Sequence, residues 1–179
     1  MTTKPLLLTM LIGIVAVALP HNGQRAIFLW NASASVPTGL YAVEPIGIVG
    51  VPELVVVDPP EPLAAYLGER GYLPRGVPLL KRVFALGGDT VCREGSAIVA
   101  FDMRYEIVRE RDSSGRPLPV WRGCTTLADD EVFLMNWDAA DSFDSRYFGP
   151  LPLSTIIGRA VPLWTDGGDD TDEAGAGPP

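Results

Sequence analysis

From about residue 40 to residue 165 the chain sets short apolar runs between Pro, Gly and Asp punctuation, a pattern that predicts strands more than helices. Leu54-Val-Val-Val57 reads as a strand stopped by Asp58-Pro-Pro60. Glu61 to Arg70 is the one helix-like stretch here: Pro62 stands near its start and Gly71 just past its end, the asymmetry that helix termini favour. Leu79 to Leu86 reads as a strand running into a Gly87-Gly88-Asp89 turn. Thr90 to Arg93 and Ala97 to Phe101 form a hairpin around Glu94-Gly95. Tyr105 to Arg111 reads as a further strand, ended by Asp112-Ser-Ser-Gly115. Glu131 to Trp137 and Ile156 to Trp164 complete the set, with Gly158 and Pro162 as bulge or edge positions. Short strands, frequent turns and one short helix predict a mainly β domain.

The N-terminus departs from this pattern. Residues 5–19, PLLLTMLIGIVAVAL, are almost wholly apolar and follow Lys4. As a helix they span about 22 Å, short for a hydrocarbon core of roughly 30 Å. A cleaved signal peptide, a buried core helix and a membrane anchor all fit. We adopt the anchor, with Lys4 inside and the bulk of the chain outside. Ile27-Phe-Leu-Trp30 would extend that contact into the interface, a depth that suits Trp. The expected division is an anchor over 1–24, a domain over 25–164 and a disordered acidic tail over 165–179.

Charge sharpens the picture. Removing the tail's Asp166, Asp169, Asp170, Asp172 and Glu173 takes the net charge from -8 to -3. A nearly neutral domain without a basic patch argues against nucleic acid as a partner. Cys92 and Cys124 are an even pair, and they predict a disulfide in an oxidising compartment. With His21 as the single histidine, ligands for zinc run out, no cofactor is implied, and a Ser-His-Asp triad is nearly excluded.

Three stretches carry candidate chemistry. In Asn31-Ala-Ser-Ala-Ser-Val-Pro-Thr-Gly-Leu-Tyr41, Pro37 extends Val36 and Gly39 permits a turn that would hold Ser35 at an exposed corner. A plain Ser/Pro/Gly linker has the same composition. Lys81 lies inside the strand 79–86, where a period of two gives it the face of Leu79, Val83 and Ala85. Desolvation there lowers an amine's pKa, and a neutral amine can take a proton from a serine. The alternative is an edge-strand lysine that discourages aggregation. Arg82 faces the other way and is a poor base, because it stays protonated. The third stretch runs from Asn136 to Pro150 and packs Ser142, Asp144, Ser145 and Arg146 together, either as part of a site or as a polar loop with a local ion pair.

Taken in order, these stretches resemble the signal peptidase I family, and more closely its conjugative-transfer, TraF-type branch. Ser35-Val-Pro-Thr-Gly-Leu-Tyr41 resembles the nucleophile box, Lys81-Arg-Val-Phe-Ala-Leu-Gly-Gly-Asp89 the lysine box, and Ser142-Phe-Asp-Ser-Arg-Tyr-Phe-Gly149 the C-terminal box. Gly87-Gly88-Asp89 departs from the Pro-Gly-Asp of housekeeping enzymes, which changes the turn and not the chemistry. The resemblance implies an antiparallel β catalytic domain behind an N-terminal transmembrane helix. It implies a Ser-Lys dyad of Ser35 as nucleophile and Lys81 as general base. It gives Ser33 and the Ser35 N–H the oxyanion hole, Ser142 the orientation of the lysine, and Asp144 and Arg146 a pairing that fixes the loop. In TraF-like enzymes the aspartate counts as catalytic, while Ser145 stays structural.

The implied activity is a serine endopeptidase at the bacterial inner membrane, with its catalytic domain in the periplasm. It would process a secreted precursor, a conjugative pilin, as part of a conjugative secretion apparatus, with hydrolysis or head-to-tail cyclisation as the outcome. A housekeeping signal peptidase and an inactive assembly subunit are the alternatives.

Overall fold

The structure, a computed structural model, describes residues 28–167. The expected anchor over 1–24 and the tail beyond residue 167 lie outside the described residues. Among the described residues no helix is long and apolar enough to cross a membrane.

Strands β1 (Phe28–Asn31), β2 (Gly39–Glu44) and β3 (Leu54–Val57) come first, followed by helix α1 (Glu61–Arg70). Then come β4 (Leu79–Leu86), β5 (Thr90–Glu94), β6 (Ala97–Ala100), β7 (Met103–Tyr105), β8 (Gly123–Thr126) and β9 (Glu131–Leu134). A short helix, α2 (Ser145–Phe148), leads to β10 (Leu151–Pro152), a 3₁₀ turn (Leu153–Thr155) and β11 (Ile156–Thr165). The larger sheet has the order β1-β2-β11-β3-β4-β9-β10 and the smaller one β7-β6-β5-β8. All of these pairings are antiparallel, so the described residues are mainly β with two α-helices.

β4 is central because it is buried nearly from end to end. Leu79 and Val83 pack with Val55, Val57, Leu63, Leu67 and Leu134. Leu80 packs on the opposite face with Val36, Tyr41, Val56 and Ala160. A register shift between Val83 and Ala85 then breaks the period of two. Ala85 therefore joins Phe84 in a third cluster with Val91, Ile98 and Phe133, and does not share the Lys81 face as simple alternation predicts. Helix α1 lays Leu63 and Leu67 on the first cluster and ends where Gly71 takes a left-handed conformation at φ 69°. That helix roofs the face of β4 to which Lys81 belongs.

The expected strand over Tyr105 to Arg111 does not form. The Ile107 N–H closes a three-residue turn onto the Tyr105 carbonyl at 3.0 Å, and Val108 bonds instead to the Ser96 carbonyl at 2.9 Å. Glu106, at the exposed corner, accepts from Arg104 Nε and Ser96 Oγ. β8 carries no apolar alternation and is exposed on most positions, yet Cys124 faces Cys92 across the β5–β8 ladder and the two are disulfide-bonded. β11 shifts register on either side of its centre, between Ile156 and Gly158 and between Pro162 and Trp164, at the glycine and proline read as bulge positions. Phe28 and Trp30 on the edge strand β1 and Trp164 on β11 are exposed, with the two indole rings 5.8 Å apart.

Gly87 has a steric reason to be glycine. A Cβ there would lie 2.6 Å from the Asp129 Cα and 2.8 Å from the Ala128 carbonyl oxygen, both backbone atoms that cannot swing aside. Gly87→Ala is therefore expected to destabilise the fold by about 1–3 kcal/mol, the usual cost of overpacking. Urea denaturation of the purified protein measures it as a lower midpoint at unchanged slope.

Candidate active site

The first wall of the site is the turn between β1 and β2. Asn31, the last residue of β1, is buried with 7% exposure. Its Nδ2 donates to the carbonyls of Ser33 at 2.8 Å, Val36 at 3.1 Å and Pro37 at 3.0 Å. Its Oδ1 accepts from the Ser33 N–H at 3.1 Å and the Ser33 hydroxyl at 2.9 Å. The Tyr41 hydroxyl donates to the Pro37 carbonyl from below at 2.6 Å. Gly39 leaves the turn at φ 146°, with the Trp164 carbonyl oxygen 2.1 Å from where a Cβ would sit. Only glycine lets the turn lie this close to β11. The product is a short rigid corner on which Ser33 Oγ and Ser35 Oγ stand 3.0 Å apart.

Lys81 supplies the second wall. It is 3% exposed on a core strand, and its Nζ donates to Ser142 Oγ at 2.7 Å. Burial among apolar neighbours pulls its pKa down from 10.5 to about 8; Asp144 pushes it back up and Arg146 presses it down again. The edge-strand reading is thereby excluded, because β4 lies between β3 and β9. Arg82 points elsewhere, with its guanidinium 5.7 Å over the Trp137 ring.

The third wall is the segment from Asn136 to Gly149, which is not a solvated loop. Asp144 and Arg146 are fully buried. Arg146 Nε and Nη2 each donate to one Asp144 oxygen at 2.8 Å, and Nη2 also reaches the carbonyls of Asn136, Ala139 and Ser142. Asp144 accepts in addition from the backbone N–H groups of Asn136 and Arg146, and the latter contact caps α2. Ser145 Oγ accepts from the Leu134 N–H at 3.0 Å and is structural.

Ser33, Ser35, Lys81 and Ser142 line one cleft of about 430 Å³. Asp144 and Arg146 lie beneath it and hold the Ser142 backbone. Leu67, Tyr72, Leu73, Leu79 and Phe143 give the cleft an apolar side, and Arg109 and Asp141 form an ion pair on its rim. Ser35 bonds to Ser33 while Lys81 bonds to Ser142, so the nucleophile candidate and the amine are not hydrogen-bonded to each other at rest. Apo sites commonly leave such contacts loose until substrate closes them.

Two residues of this site carried no role in the sequence reading. One is Asn31. The other is Asn136, whose Oδ1 accepts from the Arg82 N–H at 2.9 Å and whose Nδ2 donates to the Leu80 carbonyl at 3.3 Å. It thus clamps the backbone on both sides of Lys81. For Asn136 the local signal was the affinity of asparagine for backbone turns, and that does not report a partner more than fifty residues away.

The buried ion pair gives a direct test. Asp144→Ala leaves the Arg146 guanidinium buried without its counter-ion, and it is expected to cost about 3–5 kcal/mol of stability in denaturant unfolding.

Residues 2–164 match the family model described as signal peptidase, peptidase S26. The plasmid transfer protein TraF of Escherichia coli is 31% identical over 163 residues, covering 85% of this chain and 92% of that protein. The conjugal transfer protein TraF of Agrobacterium fabrum is 34% identical over 164 residues, covering 86% and 91%. The chloroplastic thylakoidal processing peptidase 1 of Arabidopsis thaliana is 33% identical over 112 residues, covering 62% of this chain and 31% of its own length. With a β scaffold that gathers two serines, a buried lysine and a third serine in one cleft, and with similarity along nearly the whole length, the chain belongs to the signal peptidase family, peptidase S26, in its TraF-type branch, and is a serine peptidase of the signal peptidase type.

Proposed function

We propose that this protein cleaves a precursor with a Ser35–Lys81 dyad. The observation that carries the reading is the buried Lys81 amine, lowered to about 8, in the cleft that Ser35 lines. The neutral amine takes the Ser35 hydroxyl proton as Oγ adds to the scissile carbonyl carbon. Ser33 Oγ–H and the Ser35 N–H donate to the oxygen that becomes negative. The intermediate collapses, the C–N bond breaks, and the new amine leaves with the proton from Lys81. Water then adds to the ester, again with Lys81 as base, and releases the new C-terminus and Ser35. Ser142 holds the amine in line through its 2.7 Å bond, the third-group role of a triad, and Asp144 with Arg146 fixes Ser142 from below.

The precursor is a conjugative pilin in this reading, supported by relatives that are named conjugal and plasmid transfer proteins. The domain over 25–164 then sits on the periplasmic side of the bacterial inner membrane, behind the anchor over 1–24. The exposed Phe28, Trp30 and Trp164 suit contact with the lipid interface. The similarity to a thylakoidal processing peptidase favours a second reading, a peptidase of broader precursor range. Intact-mass analysis of pilin and of other secreted proteins from cells with and without the enzyme separates the two, because a pilin-specific enzyme changes the pilin mass alone and a broader one changes others as well.

The dyad is tested by kinetics. Ser35→Ala and Lys81→Ala are each expected to lower kcat/KM by about 10⁴-fold or more, and the double variant to be little worse. Near wild-type turnover by Lys81→Ala in a precursor-cleavage assay overturns the dyad. The active form carries a neutral amine, so activity is lost as pH falls through the Lys81 pKa of about 8. The expected profile falls about tenfold per unit below that pH and is level above it. A profile flat from pH 6 to 9 contradicts it.

A further inference from the structure

We propose that Asn31 is a positioning residue that sets the direction of the hydroxyl protons on Ser33 and Ser35, an inference that rests on the Ser35–Lys81 reading. The orientation of its amide follows from chemistry alone. The nitrogen side faces three carbonyl oxygens, of Ser33, Val36 and Pro37, and these can only accept. The oxygen side faces the Ser33 N–H, which can only donate. A flipped amide would place like against like at all of these contacts. Oδ1 is therefore the oxygen that meets Ser33 Oγ, and the Ser33 hydroxyl, with one proton, must spend it on Asn31. In the 3.0 Å contact between the two serines, Ser33 then has only a lone pair to offer, so Ser35 is the donor. The resting order is Ser35 O–H to Ser33 O–H to Asn31 Oδ1.

This order keeps the Ser33 proton off the Ser35 oxygen, whose lone pair stays free to attack. The Ser35 proton points to Ser33 and away from Lys81, and the Ser33 proton points to Asn31 and away from the oxyanion position. When a substrate carbonyl enters, Ser35 turns its proton to the amine as its oxygen attacks, and that frees the Ser33 oxygen. Ser33 then moves its proton from Asn31 to the developing oxyanion, while its N–H stays on Oδ1 and keeps the residue in place. When the intermediate collapses, the Ser33 O–H turns back to Asn31 Oδ1. No covalent bond is made to Asn31 at any step, and it touches neither substrate nor lysine. Its effect on the reaction runs through Ser33.

A double-mutant cycle tests this in the full-length protein with the precursor-cleavage assay. Ser33→Ala is expected to lower kcat by about 10²-fold, as loss of one oxyanion donor does. Asn31→Ala is expected to lower kcat roughly tenfold, with KM within about twofold, because without Oδ1 the Ser33 hydroxyl turns its proton onto Ser35 Oγ and occupies the lone pair that attacks. In the Ser33→Ala background, Asn31→Ala is expected to cost less than about twofold in kcat, because the group it directs is gone. The acid limb of the pH profile is expected to stay where it is, since the Lys81 hydrogen bond is to Ser142 and not to this turn. If the roughly tenfold loss persists in the Ser33→Ala background, Asn31 only supports the backbone and the proposal is overturned. Asn31→Ser provides a variant that keeps its turn, because a serine hydroxyl can accept from the same N–H two residues on. The same cycle on that variant is read if the thermal midpoint of Asn31→Ala shows loss of the fold. Lys81→Ala separates the two levels of the argument. Activity retained there overturns the dyad and this inference with it, whereas a dead Lys81→Ala with additive Asn31 and Ser33 effects overturns this inference alone.

Discussion

The site depends on keeping one amine dry. Lys81 is seated on a strand whose neighbours on both sides are β strands and whose faces meet apolar clusters. Water is excluded, the charged form loses its hydration, and the equilibrium moves toward the free base. A lysine in that position costs the fold stability, since its one strong partner is the neutral Ser142 hydroxyl and not a carboxylate in contact. Other features of the structure serve this placement. Helix α1 roofs the face, Asn136 secures the strand on each side of the lysine, and the Asp144–Arg146 pair fixes the backbone that presents Ser142.

The Asp144–Arg146 pair illustrates how position changes the worth of an interaction. In solvent an aspartate two residues from an arginine contributes little. Here both are fully buried, and Arg146 gathers carbonyls from Asn136, Ala139 and Ser142 as well as both carboxylate oxygens. The pair is a brace made of hydrogen bonds in a dry interior, where each bond is strong and each omission is costly. Its electrostatic effects on Lys81 oppose each other, so burial remains the main control on the amine.

The corner that carries Ser33 and Ser35 is built differently. Val36 and Tyr41 anchor it in the Leu80 cluster, and its rigidity comes also from five hydrogen bonds to one asparagine, a tyrosine hydroxyl on the Pro37 carbonyl, and a glycine pressed against β11. A corner of this kind can expose Ser33 and Ser35 to substrate and still hold them to within a fraction of an ångström, which catalysis by positioning requires. The cleft is thus one wall of packed strand and one wall of hydrogen-bonded turn.

The sequence by itself determined the elements whose causes are local. The strand 54–57, the helix 61–70 with its terminal Gly71 and the strand 79–86 follow from runs and punctuation, and the structure has them at those bounds. Ser33, Ser35, Lys81, Ser142, Asp144 and Arg146 were legible because their residue types and order resemble ordered family boxes. Only the tertiary structure decided what depends on distant partners. The bulge that sends Ala85 away from the Lys81 face is a property of the β4–β9 pairing, which no window along β4 contains. The turn that replaces the expected strand over 105–111 is held by the Val108 N–H bond to the Ser96 carbonyl, a partner outside that window. Asn136 looks like an ordinary turn residue until folding brings the Arg82 N–H and the Leu80 carbonyl to the two ends of its amide. Hydrophobic periodicity reports which face is buried, whereas a hydrogen bond has direction and a partner, and for a buried polar group that partner exists only once the chain has closed around it.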